Sequence, residues 1–213
     1  MQYDDVVRRL EAAFKHELLP GPAAHAALAP RPRRAWPSDF DPARIRDAAG
    51  LLLLFPEHER AHIVLTVRAD TLGRHGGQVS LPGGGVEPGE TFEEAALREA
   101  HEEIALASDG VRVLGALTPL DIPVSGFRLH PIVAAIDARP VLTAADGEVA
   151  AIVELDLDEL AHGSAFAEMG RERDGQTLVV PGFHVAGVEI WGATAMVLAE
   201  FLMLLGWASP KRS

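Results

Sequence analysis

Cysteine is absent from the sequence, which removes disulfides, Cys-ligated zinc, iron–sulfur clusters and thiol nucleophiles together. Positive charge is scarce. Nineteen Lys and Arg stand against 31 Asp and Glu, a formal net charge of −12, and such a balance opposes attraction to nucleic-acid phosphates or an anionic membrane. No nucleic-acid or membrane partner is therefore expected. An anionic substrate would need local charge reversal, by clustered Arg or a bound divalent cation. The first residues, Met1 to Asp5, offer neither a basic start nor an apolar core, so the expected location is the cytoplasm. Long hydrophobic runs are lacking except for Ile190 to Trp207, 18 residues, at the lower limit for a membrane span. Glu200 lies inside that run, and a mid-span carboxylate costs about 2.5–3.5 kcal/mol; a buried C-terminal helix is the expectation.

What is present suits a globular chain: 213 residues, 48% apolar and 23% charged, enough for one domain or a domain with a short extension. Val6, Val7, Leu10, Phe14 and Leu18 recur at helical spacing until Pro20-Gly21-Pro22, so Tyr3 to Leu19 reads as an amphipathic helix. Pro30, Pro32 and Pro37 make residues 20 to 38 an extended or irregular linker. The expected division is 1–38, N-terminal helix and Pro-rich linker, then 39–213, the main domain. Within it, Ala49 to Phe55 and His62 to Arg68 read as two strands joined by a turn. Val111 to Leu117, Pro131 to Ala138 and Val149 to Leu155 continue the series, and Thr177 to Val180 adds an edge. Helical patterns recur only at Thr91 to Leu106 and Thr194 to Leu205. Strands outnumber helices without alternating with them, which predicts an α/β fold of the α+β type: a mixed β-sheet sandwiched between helices, with an extra N-terminal helix.

Several familiar motifs fail. In the run from Gly83, the third glycine of G-x-G-x-x-G would fall on Pro88, no G-K-[ST] follows a glycine run, and His101-Glu102-Glu103 lacks the second His of H-E-x-x-H because position 105 is Ala. More informative is the helix opened by Thr91 and Glu94, a capping box. At about 100° per residue, Glu99, Glu102 and Glu103 share one face beside the stripe of Ala96, Leu97, Ala100 and Ile104. Facing carboxylates cost an exposed helix only about 0.2–0.5 kcal/mol. The helix alone therefore leaves two readings open, a solvated acidic face and a seat for a hard divalent cation such as Mg²⁺ or Mn²⁺. Arg98, four residues before Glu102, reads either as a surface ion pair or as a fork that fixes a carboxylate rotamer.

The wider pattern separates these readings. Gly84, Glu90, and then Arg98-Glu99-Ala100-His101-Glu102-Glu103-Ile104-Ala105-Leu106 resembles the Nudix box, G-x5-E-x7-R-E-U-x-E-E-x-G-U with U apolar. Six fixed polar and glycine positions at typical residue frequencies coincide by chance in roughly one chain in 10⁵ of this length. One position departs: the box glycine is Ala105. Since Ala disfavours positive φ, the helix is expected to run on through Ser108-Asp109 and end at Gly110.

Upstream, Leu65-Thr66-Val67-Arg68 through Gly73-Arg74-His75-Gly76-Gly77-Gln78-Val79 to Pro82-Gly83-Gly84 is similar to the element marking the coenzyme A pyrophosphatase branch of Nudix hydrolases. It differs at Gly73 and Leu81. Arg68, Arg74, His75 and the Gly76-Gly77 backbone are suited to a diphosphate. The resemblance implies a Nudix fold and a divalent-metal-dependent hydrolysis of coenzyme A, or its thioesters, to 3′,5′-ADP and 4′-phosphopantetheine. It implies Glu99 and Glu103 as principal metal ligands, Glu102 as ligand or base, and Arg98 and Glu90 as orienters. Substrate contacts fall on Arg68, Arg74, His75, Gln78, Gly83 and Gly84, with the Gly83 carbonyl a further candidate ligand. Glu148 is a candidate extra carboxylate, a surface role being favoured. Phe127 and Trp191 are candidates to stack on adenine, with core packing favoured for Trp191. The expected partner is a small-molecule substrate, and a homodimer stays open. The rival readings are a Nudix pyrophosphatase for ADP-ribose, a nucleotide sugar or a nucleoside triphosphate, and a non-catalytic nucleotide-sensing module.

Overall fold

The apolar run Ala49 to Phe55 is buried at every position, the pattern of a strand covered on both faces. In the computed structural model, which describes residues 1–33, 35–69, 77–173 and 176–209, this run is the middle of β1 (Arg46–Glu57) at the centre of the main sheet. Its alternation divides the core. Ala49, Leu51, Leu53 and Phe55 belong to one apolar cluster, Leu52 and Leu54 to the other. On one side, β1 pairs antiparallel with β2 (Arg60–Arg68) through Leu54 to Glu57 and with β4 (Gly83–Gly85) through Ala48 to Gly50. On the other side it runs parallel to β7 (Phe127–Ala135). The short β3 (Val79–Ser80) and β8 (Val149–Asp156) both pair with β2, while β5 (Arg112–Ala116) and β6 (Leu120–Ile122) pair with β7, all antiparallel. The expected mixed sheet is present, with β1 and β7 as its parallel pair.

Helix α3 (Phe92–Ile104) covers one face. Its start is local chemistry: Thr91 Oγ1 accepts from the Glu94 N–H (3.2 Å) and Glu94 Oε2 accepts from the Thr91 N–H (2.8 Å). Ala95, Ala96, Ala100 and Ile104 pack against the Ala49-to-Phe55 side of β1. The other face is covered by α1 (Tyr3–Lys15), whose Val6, Val7 and Leu10 are buried, and by α5 (Gly192–Leu204), buried from Thr194 to Leu202. A helix apolar on all sides belongs inside a core, and among the described residues no helix is long and apolar enough to cross a membrane.

Three expectations are corrected. Residues 20 to 38 are not wholly irregular, because α2 (Pro22–Ala27) begins with Pro22 at its first turn, where the missing N–H costs nothing. Thr177 to Val180 is not an edge. It lies in β10 (Gln176–Val185), the middle strand of a separate three-stranded sheet between β9 (Phe166–Arg173) and β11 (Val188–Trp191). The short helix α4 (Leu157–Ala161) leads from β8 toward that sheet. Finally, α3 does not run on to Gly110. It stops at Ile104, and Ala105 itself takes the left-handed conformation (φ 53°, ψ 31°). The carbonyls left over at that end have partners elsewhere, since Thr143 N–H donates to Ile104 O (3.0 Å) and Ala145 N–H to Glu103 O (2.9 Å). Leu106 is buried immediately afterwards, so the turn is held from both sides and the strain at Ala105 is tolerated.

That strain is removable. A left-handed non-glycine residue costs about 1–2 kcal/mol, part of which glycine returns as unfolded-state entropy. Ala105→Gly should therefore stabilise the protein by up to about 1 kcal/mol, a rise in melting temperature of roughly 2–4 °C for a chain of this size. A lower melting temperature would show that Ala105 is not strained.

Candidate active site

β4 meets β1 at a spacing that only glycine permits at Gly83, and α3 lies so close that a side chain on Gly84 would displace the Glu99 carboxyl. A Cβ on Gly83 would lie 2.3 Å from Ala49 O, and one on Gly84 would lie 2.4 Å from the Glu99 carboxyl carbon. The bare backbone of β4 thus lets the acidic face of α3 lie directly against the sheet. Gly83 N–H donates to Glu103 Oε2 (3.2 Å), so the turn holds one carboxylate through the main chain while the other rests on Gly84.

Arg98 ties the remaining parts together. Its Nε donates to Glu90 Oε1 (2.7 Å), one terminal nitrogen to Glu99 Oε1 (2.9 Å) and Glu102 Oε2 (3.3 Å), the other to Gly85 O (2.9 Å) and Glu90 Oε2 (3.1 Å). Of the two sequence readings of Arg98, the fork describes the geometry. It links the glycine strand, the loop carboxylate and the helix. The Arg98 guanidinium, with the Glu87 N–H at 2.9 Å, holds the Glu90 carboxyl below its ordinary range.

Glu103 is different. Its carboxyl is raised to about 7: burial pushes it up most, the Gly83 N–H pulls it back, the Glu99 charge raises it, Arg68 lowers it and Glu148 raises it. A half-buried carboxylate near the Glu99 and Glu148 charges, with Arg68 acting on it and Arg98 already shared among Glu90, Glu99 and Glu102, is short of positive charge. Hard oxygen donors of this kind suit Mg²⁺ or Mn²⁺, so by donor type the residues present fit such an ion. Among the described residues, no three Asp, Glu or His side chains are gathered closely enough to hold one ion between them. Glu99 and Glu103 lie on the sheet side of α3, whereas Glu102 is 55% exposed and turned toward Arg98.

The candidates from the sequence are placed as follows. Glu90, Arg98, Glu99, Glu103, Gly83 and Gly84 form one connected group, with Glu102 at its rim. Arg68, at the end of β2, acts on Glu103 through its charge, and its N–H donates to Gln78 O (3.0 Å). Arg74 and His75 lie outside the described residues. Glu148 is exposed, as the favoured surface role expects; its charge still reaches Glu103 and raises it, and its carbonyl accepts from the Ala69 N–H (3.0 Å). Phe127 lies under the Arg46 guanidinium (4.0 Å to the ring centroid). Trp191 is corrected. It is half-buried and lines an open cleft, because its core-facing neighbour in β11 is Ile190. Sequence reading missed Thr143 and Ala145, whose N–H groups close α3 from a loop far along the chain, where no local motif marks them.

Known proteins resemble this chain in sequence and in fold. The family model described as NUDIX domain matches residues 44–176. A protein named Uncharacterized Nudix hydrolase NudL from Enterobacter sp. (strain 638) is 34% identical over 162 residues, 76% of this chain and 84% of that protein. Its namesake from Cronobacter sakazakii is 36% identical over 145 residues, covering 68% and 75%. Among solved structures, the Nudix hydrolase RenU from M. smegmatis superposes with a TM-score of 0.53 at 21% identity, covering 79% of this chain and 89% of that one. That likeness speaks to the fold.

Proposed function

This chain belongs to the Nudix hydrolase family, and from that premise we propose that it hydrolyses the diphosphate of coenzyme A or its thioesters, yielding 3′,5′-ADP and 4′-phosphopantetheine. The observation that carries the hydrolase reading is the half-buried Glu103 carboxyl, raised beside Glu99 and bound by the Gly83 N–H. What favours coenzyme A within the family is the resemblance of Leu65 to Gly84 to the coenzyme A pyrophosphatase element. Glu99 and Glu103 would hold Mg²⁺ or Mn²⁺, with Glu102 and the Gly83 carbonyl as further candidate ligands. When bound, the cation neutralises charge developing on the diphosphate oxygens.

This chain's own residues do the positioning. Arg98, gripped by Glu90, fixes the rotamer of Glu99 and anchors the β4 carbonyl at Gly85. Arg68 brings positive charge to the same end of the sheet, where a diphosphate needs it. The carboxylates share the proton taken from the attacking water as a coupled group, so the base belongs to the set and not to one member.

Incubation of the purified protein with coenzyme A and Mg²⁺, with products weighed by mass spectrometry, tests the reading. The two named fragments are expected. Consumption of ADP-ribose or dGTP with coenzyme A untouched would move the chain to another Nudix substrate class. Consumption of no diphosphate compound would favour the nucleotide-sensing module.

A further inference from the structure

At the β2–β3 end, on the face of the main sheet opposite α3, lies a cleft of about 720 Å³ between the main sheet and the three-stranded sheet. Val67 and Val79 form its apolar floor, and Gln78, Arg171, His184 and Trp191 face it. Strand alternation explains how those side chains arrive there. In the β10–β11 pair, Gly182 stands opposite Trp191 and His184 opposite Glu189, while the intervening Phe183 and Ile190 are buried in the core. The outward face of this sheet therefore presents an indole and an imidazole. Arg171 reaches toward β11 from β9, its guanidinium 5.6 Å from the Trp191 ring centroid and paired with Glu189.

The Glu189 pairing compensates the Arg171 charge, so the cleft is not built to trap a bare phosphate. It offers an indole ring with a guanidinium over one face, and either the guanidinium or the remaining indole surface suits a planar heterocycle; two side chains, Gln78 and His184, are able both to donate and to accept hydrogen bonds at that ring's edge. The cleft is also joined to the reaction centre. Gly77 and Gln78 together face Arg68: Arg68 N–H donates to Gln78 O (3.0 Å) and Gly77 N–H to Arg68 O (2.9 Å). Two residues opposing one is a bulge, a device that re-aims a side chain at a sheet edge. The Arg68 charge in turn acts on Glu103. Val67 and Val79 belong to the α1 and α5 side of the sheet and Arg68 acts on Glu103 on the α3 side, so a ligand with one end at Arg68 reaches the cleft by passing round the end of β2.

We propose that this cleft binds the nucleobase of the substrate, with Trp191 and Arg171 as its stacking surface and Gln78 and His184 reading the edge of the ring. The proposal rests on the hydrolase reading for its substrate, and its test separates the two. Calorimetric titration of the full chain with AMP and with ribose 5-phosphate needs no turnover. AMP should bind at least tenfold more tightly than ribose 5-phosphate, since stacking of one base is worth roughly a tenfold to hundredfold change on alanine substitution. Trp191→Ala should erase most of that preference and, in turnover, raise KM for coenzyme A roughly tenfold or more with a much smaller change in kcat, the mark of lost uniform binding.

Trp191 immediately precedes α5, so His184→Ala and Arg171→Met, at side chains that reach solvent, provide variants that spare the core. Each should lower the AMP preference several-fold. Equal binding of AMP and ribose 5-phosphate by the unaltered protein overturns the proposal. So does a set of variants that weakens 4′-phosphopantetheine and leaves AMP unchanged, because the cleft would then hold the other half of the substrate. An intact AMP preference, lost in the variants, in a protein that consumes no diphosphate would support the base site while sinking the hydrolase reading.

Discussion

Glu103→Gln should give a protein more stable than the original when metal-free at pH 8, and inactive. The sign follows from the raised carboxyl. Glu103 titrates at about 7 in the fold, against an ordinary value of 4.5, so folding takes up a proton between those two values. Its protonated form suits the fold; stability on this account is full below about pH 4.5 and is lost as pH rises through 7. The loss at pH 8 is about 2 kcal/mol once the solvent that still reaches this half-buried group is allowed for. Gln has no charge to desolvate, and its side-chain carbonyl still accepts from the Gly83 N–H. Thermal unfolding in a chelator should therefore show the variant ahead by roughly 4–8 °C at pH 8 and level with the original at pH 5. Added Mg²⁺ should raise the melting temperature of the original and not of the variant, because a ligand stabilises only the state that binds it. Hydrolysis of the diphosphate substrate, coenzyme A on the proposed reading, should fall by about 100-fold or more, the scale expected when electrostatic stabilisation of the reacting group is removed. A variant that melts lower at pH 8, or that keeps full activity, would remove Glu103 from the role assigned to it.

The same residues show what a sequence can and cannot carry. The capping box at Thr91 and Glu94 was legible because both partners lie within one turn. The placing of Glu99 and Glu103 together on α3 was legible because helical geometry fixes it, while Glu102, read on the same face, turns out toward solvent and Arg98. The demand for glycine at Gly83 and Gly84 came only as a motif, and its cause appears in the fold, where the Ala49 carbonyl and the Glu99 carboxyl occupy the space of a side chain. Ala105 failed as a local argument. Propensity favours running on to Gly110, but N–H groups from Thr143 and Ala145, some forty positions away, take the terminal carbonyls and make the early stop worthwhile. The three-stranded sheet failed similarly. Its strands pair with one another, outside the main sheet, so the run Thr177 to Val180 carries no sign that it sits in the middle. Trp191 was misplaced because an apolar run conceals its own alternation until the partner strand is known.

Glu200→Ala should cost about 3–5 kcal/mol, the usual penalty for stripping one partner from a buried ionic cluster, and lower the melting temperature by roughly 10 °C. Glu200 is 0% exposed, in the middle of α5. Its Oε1 accepts from the Gly21 N–H (3.1 Å) and the Thr118 hydroxyl (2.6 Å), its Oε2 contacts the His25 ring (2.8 Å), and the Thr118 N–H donates to both oxygens. Burial alone would push this carboxyl up. The His25 ring and the Thr118 hydroxyl outweigh it and hold the group below its ordinary range, so its contribution is present above that range and is lost as pH falls beneath it. One charge therefore fastens three segments distant in sequence: the start of α2, the turn between β5 and β6, and α5. This is why a carboxylate survives in the longest apolar run of the chain. Removing Glu200 alone strands donors from the other two segments, whereas replacing it together with His25 by Leu leaves fewer groups unsatisfied. The double variant should then lose clearly less than the sum of Glu200→Leu and His25→Leu, measured by denaturant titration. Strict additivity would mean that the two side chains do not act as a pair.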